Sequence, residues 1–107
     1  MARPPTYLRR QLSQALARRE RGLNDFRVKR VLAILTDQNL AQRAGLAPPG
    51  ATELLFECNF VNEVWTDPRI VQRVKQLHDR GLTVEPIEHT REVAGRSFTR
   101  SKIRVQF

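Results

Sequence analysis

The sequence predicts a small α+β domain: two N-terminal helices, then a β-α-β-β run with the helices on one face of a small sheet. Three observations predict it. Apolar residues recur at helical spacing as far as Ala44. A second helical set, Ile70, Val71, Val74 and Leu77, lies between Pro68 and Gly81. The C-terminal residues then alternate, Ile103, Val105 and Phe107 on one side and Arg100, Lys102 and Arg104 on the other. A mostly helical chain ending in a β-hairpin is the alternative.

The first helix is expected to begin at Pro5 or Thr6, because proline suits a first helical turn. Leu8, Leu12, Ala15, Leu16 and Leu23 share one face of it, and Arg10, Arg18 and Arg21 point the other way. Gly22 is the expected stop. Residues 1–23 are thus a basic helical arm and residues 24–107 a single domain.

Asn24 is placed to cap a second helix, with Asp25 near its positive end and Phe26, Val31, Leu32 and Leu35 as its apolar stripe. Thr36-Asp37 restarts a short helix through Leu40, Ala41 and Ala44 to Gly45, and Pro48-Pro49-Gly50 breaks the chain. The segment 52–61 reads either way. As a strand it alternates Leu54, Phe56, Cys58 and Phe60; as a helix it aligns Leu54, Leu55, Cys58, Val61 and Trp65. Aromatics at period two favour the strand. Thr66 is expected to cap the next helix and Gly81 to end it. Thr83 to Glu88 forms a strand that Pro86 assigns to a sheet edge, Ala94-Gly95 a turn, and Phe98 to Phe107 the last strand.

Charge is the strongest functional signal. The net charge of +8 rests on 16 arginines and 3 lysines, and the isoelectric point is about 11.2. Arginine forks onto phosphate oxygens and stacks on bases, so the choice suits a polyanion partner. Residues 1–34 carry nine cations against Glu20 and Asp25, and residues 68–107 nine against four acids. Residues 35–67 carry only Arg43 against five acids. Two basic ends flank an acidic middle. The candidate RNA contacts are therefore Arg3, Arg9, Arg10, Arg18, Arg19 and Arg21 in the arm, with Arg100, Lys102 and Arg104 in the last strand and Arg96 in the turn before it. Phe98 is the one nearby aromatic placed to stack a base. In the acidic middle, Trp65, Glu57 and Glu63 are the candidate protein contact, with Trp65 as anchor.

Other classes find little support. No apolar run approaches the roughly 18–20 residues that span a bilayer. The single cysteine, Cys58, forms no internal disulfide and reads as a small core residue in a reducing compartment. His78 and His89 neighbour Asp79 and Glu88 in sequence, an arrangement that does not make side chains meet. No catalytic residue, cofactor or metal ligand is nominated.

Size, charge pattern and architecture resemble those of small ribosomal proteins, mitochondrial ones included. That resemblance implies a non-enzymatic structural subunit of a ribonucleoprotein, with ribosomal RNA and neighbouring proteins as partners, in the mitochondrial matrix or the cytoplasm. The segment up to Arg19 also resembles a mitochondrial targeting sequence, being rich in arginine and free of acids. An accessory subunit of a large protein assembly, such as a respiratory complex, is a second reading. Thr36, Leu40-Ala41 and Ala44-Gly45-Leu46 resemble the first helix and turn of a helix-turn-helix, which implies a DNA binder with the C-terminal hairpin as a wing.

Overall fold

Pro5 opens a helix that Gly22 does not close. The computed structural model describes residues 5–107; Arg3 lies outside them. Helix α1 runs unbroken over Pro5–Ile34, 30 residues and about 45 Å. The expected stop at Gly22 and the expected cap at Asn24 are both overturned. An interior glycine costs only about 1 kcal/mol relative to alanine; good helix formers precede it from Leu16 to Arg21, and burial of Val28 and Val31 anchors the helix beyond it. The boundary drawn between residues 23 and 24 thus falls inside one helix.

Helix α2, Asp37–Leu46, begins at Thr36, whose hydroxyl accepts from the Asn39 amide at 3.2 Å, and it passes through Gly45. Strand β1 is Glu53–Glu57, only the first half of the segment that period two assigns to a strand; Cys58 and Phe60 lie beyond its end, and Phe60 caps the helix that follows. A four-residue helix not foreseen in the sequence, α3 at Val61–Val64, follows. Helix α4 is Pro68–Asp79, and its cap is Asp67 rather than Thr66. The Asp67 carboxylate accepts from the Arg69 amide at 3.0 Å, with Pro68 at the first helical position. The helix ends in a Schellman motif. Gly81, at φ +89°, donates its amide to the His78 carbonyl, and Leu82 donates to Leu77.

Strands β2, Thr83–Val93, and β3, Arg96–Gln106, are each 11 residues long. Both exceed the sequence expectation, and they meet at the two-residue turn Ala94-Gly95, with φ of 53° and 76°. Positive φ at both positions is what a type I′ hairpin requires. The sheet is antiparallel in the order β1-β3-β2, so Pro86 does lie on an edge strand. The domain is α+β, with the helices covering one face of the sheet.

The core joins every element. Val28, Val31 and Leu35 of α1 meet Leu40, Leu54, Phe56, Cys58, Val61, Val64, Ile70, Leu77, Val84, Ile103 and Val105. Burial raises the Cys58 thiol above its ordinary pKa. Val71, expected inside, is 52% exposed, and Phe107, beyond the end of β3, is also exposed. Leu8, Leu12, Leu16, Leu23 and Phe26 of α1 are exposed too. Their face is turned about 140° from that of Val28, Val31 and Leu35 at 100° per residue. Because α1 does not turn at Gly22, its N-terminal part cannot fold back and projects from the body. The radius of gyration is accordingly 19.2 Å, against about 13 Å for a compact chain of this length.

One side chain locks the helices together. Arg73 of α4 donates through Nε and Nη2 to the Leu35 carbonyl at the end of α1, at 2.9 and 2.7 Å. The same Nη2 lies 2.8 Å from Asp37 Oδ1 at the start of α2, which Arg80 also reaches at 2.7 Å.

Two substitutions test this account by urea denaturation. Ile103→Ala, at a fully buried position, should lower stability by about 2–5 kcal/mol. Ala94→Asn should raise it by roughly 0.5–1 kcal/mol, because asparagine tolerates the left-handed conformation better than alanine.

Candidate nucleic-acid interface

Because β1 ends at Glu57, opposite Lys102, the β2–β3 hairpin continues past it as a two-stranded ribbon. Alternation then sorts its side chains. Ile103 and Val105 point into the core, so Arg96, Phe98, Arg100, Lys102 and Arg104 share the outer face. Directly opposite them on β2 stand Val93, Arg91, His89, Ile87 and Glu85. The inner face of the ribbon pairs Glu88 with Ser101, Thr90 with Thr99 and Glu92 with Ser97. One face is cationic; the other is acidic and hydroxylic. Asn62 of α3 ties the ribbon's base to the body, donating to Glu88 Oε1 at 2.9 Å and to Ser101 Oγ at 3.4 Å.

The outer face is also concave. A cleft of about 590 Å³ is bounded by Glu57, His89, Arg91, Val93, Phe98, Arg100 and Lys102. Phe98 is 52% exposed within it, ringed by cations.

Ion pairing separates structural cations from free ones. Arg27 pairs with Glu63, Lys29 and Arg69 with Asp25, Arg69 with Asp67, and Arg73 and Arg80 with Asp37. Arg104 belongs to this group: its guanidinium, donating to the Glu85 carboxylate, holds its own proton more tightly than usual. It therefore leaves the candidate stripe. Arg91, Arg96 and Lys102 form no ion pair among the described residues, and Arg100 has only Glu57 at 3.6 Å, with both side chains about 70% exposed. So loose and exposed a contact contributes little. Arg9, Arg10, Arg18, Arg19 and Arg21 of α1 are likewise exposed and without an ion pair among the described residues. Arg30, Arg43 and Lys75, on three different helices, also form no ion pair among the described residues; the other unpaired cations fall in two places, the ribbon and the projecting helix.

Arg91 and His89 are absent from the sequence-predicted set. A strand ending at Glu88 leaves them in a loop, but the turn at Ala94-Gly95 carries the signal. Mirroring the long last strand about that turn extends β2 to Val93 and puts Arg91 beside Phe98. The three candidate protein-contact residues occupy separate settings. Trp65 is half-buried against the core, Glu63 pairs with Arg27, and Glu57 sits on the outer sheet face near Arg100. No helix among the described residues is long and apolar enough to cross a membrane.

Comparison of the chain with protein-family models, curated proteins and solved structures gave no match.

The paired carboxylates set the acid response. Hydrogen bonds from Arg69 and Lys29 to Asp25, from Arg80 and Arg73 to Asp37, and from Arg69 to Asp67 hold all three below the ordinary aspartate value. A carboxylate depressed on folding stabilises above its unfolded pKa and loses that contribution as pH falls through the folded value. Thermal stability should therefore be flat from about pH 5 to 8 and decline below about pH 4. Asp37→Asn should lower the neutral-pH melting temperature and shrink the acid decline, as followed by circular dichroism.

Proposed function

We propose that this chain is a non-enzymatic RNA-binding subunit of a ribonucleoprotein, of the ribosomal kind. It holds RNA backbone on the outer face of the β2–β3 ribbon, and the arginines of α1 make a second contact. One observation carries the reading: the cations that brace the fold are ion-paired, whereas Arg91, Arg96, Arg100 and Lys102 line one exposed face without a strong partner. Desolvating unpaired cations against phosphate breaks no bond that the fold needs. Alternate residues of a strand lie about 6.7 Å apart, a spacing suited to successive phosphates of an extended strand. Phe98 lies between Arg96 and Arg100 on that face and offers a ring on which an unpaired base stacks. The contact positions a backbone and reads little sequence.

A second reading rests on connectivity. The order α2-β1-α3-α4-β2-β3, with the sheet arranged β1-β3-β2, is that of a winged helix-turn-helix, with α4 as the groove-reading helix. This differs from the motif anticipated at residues 36–55, because the chain after α2 enters strand β1 rather than a second helix. The charge on α4 favours the RNA reading. Arg69, Arg73 and Arg80 are bound to aspartates, which leaves Lys75 with Gln72 and Gln76 on the exposed side.

Fluorescence anisotropy with a single-stranded RNA and a duplex DNA, titrated across salt, tests both. The RNA should bind more tightly, and the four ribbon cations should contribute about −3 to the log–log salt slope, at roughly −0.7 for each neutralised phosphate. Replacing Arg91, Arg96, Arg100 and Lys102 with alanine should flatten that slope. Phe98→Ala should cost about 1–3 kcal/mol at constant salt. An unchanged slope removes the ribbon as a contact. Tighter duplex binding, lost in Gln72→Ala/Lys75→Ala, would establish the second reading.

A further inference from the structure

The exposed apolar stripe of α1 plays no part in the ribbon. Leu8, Leu12, Ala15, Leu16, Leu23 and Phe26 fall within about 100° of one another around the helix, the width of a face that normally meets a partner. Leu8, Leu12 and Leu16 are 58–59% exposed and Phe26 is 66% exposed. The stripe runs for about 27 Å at 1.5 Å per residue. It faces away from the core, so no segment described in the chain covers it. In proteins most helical stability comes from packing an apolar face against a neighbour rather than from propensity.

Charge selects the occupant. Between Pro5 and Leu23 the helix carries Arg9, Arg10, Arg18, Arg19 and Arg21 against the single acid Glu20. Arg19 stands in the middle of the leucine stripe, within about 20° of Leu8, Leu12 and Phe26 at 100° per residue. A second copy of α1 would bring like charges together along the seam and bury Arg19 against leucine or against its own image. A lipid surface favours a broad apolar sector with the cations gathered opposite, but here they encircle the helix and interrupt the stripe. A partner helix with its own apolar seam and flanking carboxylates satisfies both features, packing on the leucines and giving Arg19 an acid.

We propose that the N-terminal part of α1 is the docking surface for an acidic amphipathic helix of a partner protein. The inference stands whether or not the ribbon binds RNA.

The test uses the full chain and a peptide of about three heptads, with leucine at the a and d positions and glutamate at e and g. A matched peptide carries lysine in place of glutamate. Sedimentation of the chain alone should give a monomer. The glutamate peptide should bind and the lysine peptide should not. Leu12→Ala/Leu16→Ala keeps the charge and alters only exposed residues, so the fold should persist while peptide affinity falls about tenfold or more. Arg19→Leu should narrow the preference for glutamate over lysine and promote self-association. The proposal is overturned by a wild-type dimer that Leu12→Ala/Leu16→Ala dissociates. Equal binding of both peptides, or binding of neither, overturns it as well, and so does attachment to phosphatidylglycerol vesicles with no response to the glutamate peptide.

Discussion

The assembly of the helices turns on the carbonyl of Leu35. It is an orphan acceptor at the negative end of α1, left where the chain must change direction into α2. Arg73 supplies two of its N–H groups to that one oxygen, and the same guanidinium reaches Asp37 across the bend. A planar fork satisfies the two acceptors together, which a lysine ammonium would do with less directional precision. Since Arg73 comes from α4, the bend is fixed to the element that packs Ile70 and Leu77 into the core. The sheet then has a platform against which Ile103 and Val105 are buried, and the orientation of the ribbon follows from theirs.

The same logic divides the basic charge of the protein. Aspartates at helix starts and along α1 attract the arginines that face them, and these pairs sit where elements meet. The ribbon lies beyond the reach of those acids. Its own acids, Glu88 and Glu92, alternate onto the opposite face. The asymmetry comes from period-two geometry acting on a sequence that alternates its charge signs.

Much of this was legible in the amino-acid order. Period two marked β1 and β3, Pro68 and Gly81 bounded α4, and Pro86 marked an edge. Errors arose where a weak local preference met a stronger neighbourhood. Gly22 and Asn24 look like a stop and a start, yet strong helix formers before them and the buried anchors Val28 and Val31 beyond them carry α1 through. Thr66 and Asp67 are both good caps, and the position of Pro68 decides for Asp67. Val71 reads as core by composition, but Ile70, Val74 and Leu77 already fill the side of α4 that meets the sheet. Of the candidate interface, the alternation of Arg96, Arg100 and Lys102 was readable, whereas the capture of Arg104 by Glu85 depends on strand register. Register also brought Arg91 alongside Phe98, which strand-by-strand reading could not do.

The unbroken course of α1 through Gly22 has a further consequence. Stripe and core anchor lie on one continuous helix, so their angular phase is rigidly coupled. Each residue inserted between Leu23 and Val28 would rotate the leucines by about 100° relative to the body and advance them about 1.5 Å along the axis. The length of that short segment, more than the identity of its residues, sets the bearing on which the projecting helix leaves the domain.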